Sequence, residues 1–175
     1  MIFLTTEIMI YARRYIEFLK NVEELASTDA ILISLILAIH KLSAPETIMA
    51  IFREASNMFI EYLKQRNMIR LDNLQNALED LCKSLTERFK ISNNISYKLE
   101  NDKLYLKISN CTFKNICKHI DKVINMRPEI LKILETRPCG INILFSTLTT
   151  LFDKIPETEK IDCNNGDAII VIRLA

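Results

Sequence analysis

The alternation of apolar and polar positions changes period once along the chain and later changes back, and those changes mark its elements. Ile8, Tyr11, Tyr15, Phe18, Leu19, Val22 and Leu25 recur at three- and four-residue spacing with charge between them, which predicts an amphipathic helix over 6–26. Ser27-Thr-Asp29 breaks and caps, and 30–42 is apolar at nearly every position, the pattern of a helix buried on most sides. Ser43, Pro45 and Glu46 form a helix start, and the face Ile48, Ile51, Phe52, Ala55, Phe59, Tyr62 and Leu63 carries that helix to about Arg66. A turn over 67–70 precedes Leu71, Leu74, Leu78, Leu81, Cys82, Leu85 and Phe89, the apolar stripe of a further helix ending near Lys90.

Period two then takes over. Ile95, Tyr97 and Leu99, the turn pair Asn101-Asp102, and Leu104, Leu106 and Ile108 predict a hairpin with one buried face. Helical spacing returns over 113–125, a short helix opens at Pro128, and Pro138-Cys-Gly140 leads into a helix over 141–152. Lys160–Asp162 reads as a strand, Asn164-Asn165-Gly166 as a left-handed turn, and Ala168–Leu174 as a closing strand. Two hairpins separated by helices predict an α+β fold: one antiparallel sheet packed by helices and preceded by N-terminal helices.

Composition narrows the function classes. With 175 residues the chain is long enough for a real core. Apolar residues make up 49% and charged ones 26%, which excludes a disordered chain, and a mean hydropathy just above zero points to a dimer interface or a lined cavity, the alternative being a large ordinary core. Lysine and arginine (23) balance aspartate and glutamate (22), so no broad positive field gathers nucleic acid. Two glycines are too few for a phosphate loop or a dinucleotide fingerprint, so no nucleotide cofactor is expected. The first residues lack a basic region, 30–39 is about half the length a bilayer needs, and five widely spaced cysteines suit reducing conditions. A cytoplasmic protein without a membrane span is the expectation.

Candidate chemistry concentrates after Asn110. Cys111, Cys139 and Cys163 each stand beside a strand edge, a Pro-Gly breaker or a turn, where a short side chain can be aimed at a shared point. With His119 or Cys117 as a fourth ligand they form a candidate zinc site, since zinc takes thiolate and imidazole tetrahedrally. The alternative is a set of reduced thiols packed near strand ends, and Cys82 is expected to be a buried small hydrophobe. His40 reads as a cation at a helix end. Ser, His and acidic residues never fall into a nucleophile motif, so a non-enzymatic domain is expected.

The succession of a helix ending near Phe89, a hairpin closing on Asn110-Cys111 with Phe113 two residues on, Cys139 beside proline, a long amphipathic helix, and Cys163 before Gly166-Asp167 and an Ile/Val strand resembles the 4-vinyl reductase domain family. The resemblance spans roughly 48–175, which it implies is a ligand-binding-type domain, with the N-terminal helices of residues 1–47 as a candidate dimerisation arm. It implies a domain binding an apolar, hydrocarbon-like small molecule, on a fold shared with heme-based nitric-oxide sensors and with subunits of a vesicle-tethering complex. Leu78, Leu81, Phe89, Ile141, Leu144, Phe145 and Leu148 would then line the ligand cavity, and a homodimer is implied. This chain departs from the family pattern in having Pro138 before Cys139 and no cysteine in 169–172. The alternative to a binding or sensor domain is a structural, helix-mediated assembly subunit without ligand.

Overall fold

A computed structural model of the chain describes residues 45–114, 139–164 and 166–175, with side chains from Ala50 onward. The chain divides into two compact units at Leu42/Ser43, and all described residues belong to the second. The helices read over 6–26 and 30–42, the short helix at Pro128, all but the first two residues of the 113–125 helix, and His40, Cys117 and His119 lie outside the described residues.

The architecture is α+β. Helix α1 spans Pro45–Gln65 and α2 spans Leu74–Lys83, continued by a wider π-helical turn over Ser84–Arg88. Strand β1 (Asn94–Glu100) and β2 (Lys103–Ser109) precede α3 (Gly140–Thr150), followed by β3 (Pro156–Asn164) and β4 (Asp167–Leu174). The strands form one antiparallel sheet in the order β1-β2-β4-β3, so the two hairpins meet through β2 and β4 at its centre.

Local chemistry accounts for the joints. Asn73 caps α2, its side chain accepting the Asn76 N–H at 2.9 Å. Asn101 and Asp102 both take positive φ (49° and 59°), the backbone of a two-residue hairpin turn that asparagine and aspartate tolerate. Gly166, with φ +98°, precedes β4 in a conformation L side chains rarely adopt.

The core lies between the helices and one face of the sheet. Leu104, Leu106, Ile108, Ile170 and Ile172 are almost wholly buried, alternating with exposed Tyr105, Lys107, Ile169 and Arg173 on the outer face. Ile60 and Leu63 of α1, Leu78 and Leu81 of α2, and Phe145 and Leu148 of α3 close over them. Ion pairs Lys103–Glu159, Lys98–Glu100 and Arg173–Glu157 dress the outer face.

Four expectations need adjusting. The buried stripe of α1 runs through Ser56, Ile60 and Leu63, while Ile51, Ala55 and Tyr62 face outward. The second helix begins at Leu74, after its asparagine cap, and ends in the π-helical turn. Burial in β1 fades from Ile95 through Tyr97 to Leu99, which is 38% exposed. Strand β3 is longer than the predicted segment: it starts at Pro156 and carries a register shift between Thr158 and Lys160.

Candidate functional site: a cluster of three thiols

Each of the three cysteines is placed by the end of an element. Cys111 follows β2, where Asn110 adopts φ 51° and the backbone N–H of Cys111 donates to Gly166 O at 2.7 Å. The Asp167 carboxylate accepts the Asn110 N–H at 2.9 Å, so the end of β2 is fastened to the β3–β4 turn on both sides of that bond. Thr112 donates backbone and side-chain hydrogen bonds to Ile91 O, at 2.8 and 3.1 Å, tying Cys111 to the segment entering β1. Cys163 is opposite Ala168 in the β3–β4 ladder, and Ala168 is opposite Ile108 on β2. Antiparallel partners share a face, so with Ala168 and Ile108 buried Cys163 also points to the core side. Cys139 is the N-cap of α3 in extended conformation, and it is buried.

Helix α3 packs along the edge strand: Asn142 on its first turn exchanges hydrogen bonds with the Thr158 hydroxyl on β3, at 2.9 and 3.3 Å. Cys139 belongs to the main apolar cluster, and Cys111 and Cys163 pack against it half-buried. They lie close enough to feel one another's charge. Burial first pushes the Cys139 thiol up to about 11, and the charges of Cys163 and Cys111 add to the rise, while the backbone N–H groups of Asn142 and Ile141 oppose it. Cys111 is also raised, by burial and then by Cys163, against a backbone hydrogen bond from Phe113. Cys82 makes a useful contrast: burial alone dominates there, lifting its thiol to about 12, and no second thiol contributes.

Cys111 and Cys139 are therefore protonated and weakly nucleophilic at neutral pH, unlike the activated thiolate a covalent catalyst needs. What the cluster offers is several soft sulfur atoms in apolar surroundings, one of them at a helix N-terminus where a thiolate is favoured once its charge is compensated. Among the described residues no group of three or more His, Cys, Asp and Glu side chains is arranged to hold a metal ion.

The residues expected to line an apolar cavity divide into two sets. Leu78, Leu81, Ile141, Leu144, Phe145 and Leu148 pack into the main core cluster. Phe89 leaves that stripe and meets Phe59 edge-on at 5.2 Å and Tyr62 at 6.5 Å, because the π-helical turn before it changes the angular step of the helix. Sequence reasoning missed the fastening of Asn110 to Asp167 and of Cys111 to Gly166. Its signal was there in Asn110-Cys111, which contains one candidate cysteine, and in the Gly166-Asp167 turn three residues after another, Cys163.

No family model, curated protein or solved structure matches the chain. Among the described residues, no helix is long and apolar enough to cross a membrane.

Proposed function

We propose that residues 48–175 form a non-enzymatic binding or sensor-like domain whose input is received at Cys111, Cys139 and Cys163. The observation that carries this reading is that three different element ends set their thiols in or against one apolar cluster. A soft metal ion such as zinc suits sulfur donors in apolar surroundings; since the described residues hold no ready-made group of three ligands, binding would have to draw the three thiols together, with Cys117 or His119 as the fourth ligand by sequence. The thiols must lose their protons to bind it, so affinity rises with pH and binding releases acid. Metal-bound thiolates would pull on the ends of β2, β3 and α3 together, the kind of local event that changes packing and partner choice.

The family resemblance favours an apolar small molecule as a second kind of input, for which the packed core around Ile141, Leu144 and Phe145 would have to open. Reduced thiols fit a cytoplasmic setting. Elemental analysis and native mass spectrometry of the purified full chain test the proposal. Bound zinc lost in Cys111→Ser/Cys139→Ser, or a co-purifying lipid-sized mass, supports it. A chain that arrives apo and whose melting temperature ignores added zinc counts against it.

A second reading, a homodimeric assembly subunit, draws on the outward apolar positions of α1. Ile51, Met58 (67% exposed) and Tyr62 lie at near-heptad spacing. A ligand-free dimer in the same mass spectrum, weakened by Met58→Glu, favours this reading over the first.

A further inference from the structure

The chain turns sharply between α1 and α2, and that turn walls a cleft containing none of the three clustered thiols. Asn67 adopts φ 54°, the Met68 N–H donates to Leu63 O at 2.8 Å, and the Ser84 hydroxyl donates to Met68 O at 3.1 Å, which fixes the 66–70 loop against the π-helical turn. The cleft measures about 390 Å³ and its charged walls are Arg66, Arg70, Asp80, Lys83, Glu87 and Arg88. That volume lies within the range of small-molecule sites, roughly 300–1,000 Å³.

Its charge is unbalanced. Four cations face two carboxylates, and one carboxylate is already committed: Asp80 takes the Arg70 guanidinium through both oxygens, at 2.7 and 2.9 Å, and the Arg70 backbone N–H at 2.9 Å. The Arg66 guanidinium carbon lies 5.6 Å from the centroid of the Tyr62 ring, a cation–π contact that consumes none of its N–H donors in an ion pair. Among the described residues, Lys83 and Arg88 have no acidic partner. Complementing a helix dipole explains a cation at one helix end. It does not explain four cations sharing one cleft with only two carboxylates, a surplus of two positive charges that a bound anion would offset. The wall supplying Ser84, Glu87 and Arg88 is the π-helical turn itself, an irregularity found often at functional sites.

We propose that this cleft binds a small phosphate-bearing anion, held by Arg66, Lys83 and Arg88, with the Arg70–Asp80 pair bracing one wall. Guanidinium forks match phosphate oxygens two at a time, and lysine adds a point charge. The proposal does not depend on the thiol cluster.

Titration of the full chain with inorganic phosphate, followed calorimetrically and by amide chemical shifts, tests it. Saturable binding should appear, and Lys83→Gln/Arg88→Gln should weaken it by about tenfold or more, the scale of losing charge-assisted hydrogen bonds. Lys98→Gln/Lys107→Gln, on the outer face of the sheet, should leave it unchanged. All four positions are exposed, so both variants should fold, which their melting curves check. No response up to about 10 mM phosphate, a range that covers even weak sites, would overturn the proposal. Equal affinities of the two variants, or a response to citrate without one to phosphate, would do the same.

Discussion

Truncating Phe145 distinguishes a filled interior from a hollow one. Its ring is fully buried on α3, in one cluster with Leu78, Leu81, Leu104 and Ile170. Phe145→Ala removes the whole ring, and in a close-packed site such a change costs about 3–5 kcal/mol, transfer and cavity terms together. Total stabilities of domains are about 5–15 kcal/mol, so the variant should still fold, with its melting temperature lowered by roughly 10–20 °C. Urea denaturation is the cleaner assay, because a fall in midpoint at unchanged slope isolates stability from changes in compactness. Phe145→Leu, which keeps most of the volume, should lose far less. A loss under about 1 kcal/mol for Phe145→Ala would refute the packing argument, since it would mean the ring already borders empty space. That result would instead favour a pre-formed apolar hollow beside α3.

Three further outcomes follow from particular residues. The Thr147 hydroxyl is buried without a hydrogen-bond partner among the described residues, so Thr147→Val should be neutral or raise the melting temperature by a few degrees, on the scale of about 1 kcal/mol. Gly166→Ala forces a Cβ to within 3.1 Å of Lys114 Cδ at φ +98° and should cost about 1–3 kcal/mol in urea, with faster alkylation of Cys111 as its anchor at Gly166 loosens. The raised thiols set an alkaline limit. In the unfolded chain Cys139 ionises near its ordinary pKa of about 8.5, whereas folded it stays protonated until about 11. Its contribution is complete below the lower value and disappears as pH climbs through the upper one. Stability should therefore fall over that window, and Cys139→Ala should flatten the fall; equal urea midpoints for the unaltered chain at pH 8 and 10 would contradict this.

How far the fold could be read depended on whether a pattern was local. Asn101-Asp102 between two alternating runs locates β1 and β2 almost to the residue, because turn chemistry and side-chain period agree there. The Asp167–Leu174 strand was equally plain, its Ala168, Ile170, Ile172 and Leu174 all buried. Its edge partner β3 was read as only 160–162, since Pro156-Glu-Thr-Glu-Lys160 carries no apolar alternation. What recruits that segment is distant in sequence: the β4 ladder and the Asn142–Thr158 hydrogen bonds. The outward turn of Ile51 and Tyr62 was equally hidden, because α1 has apolar residues on more than one side and only the packing of Ile60 and Leu63 chooses between them. Phe89 fits the stripe of Leu78, Leu81 and Leu85 only if the helix stays α, and no local residue type announces a π-helical turn.

The same division holds for the sites. That three cysteines stood at element ends was visible in the sequence, whereas their meeting required α3 to dock on β3. The charged cleft was passed over because Arg66, Arg70, Lys83 and Arg88 are dispersed along two helices and the turn between them, a spacing that reads as solvated surface until the chain folds back at Asn67.

The central claim is that three thiols remote in sequence converge, and a reagent that bridges neighbouring sulfurs tests it directly. Native protein treated with one equivalent of phenylarsine oxide, then alkylated and digested, should yield arsenic bridges joining two of Cys111, Cys139 and Cys163, with Cys82 unbridged. Bridges that join Cys82 to any of the three, or single modification of all three cysteines with no bridge between them, would contradict it.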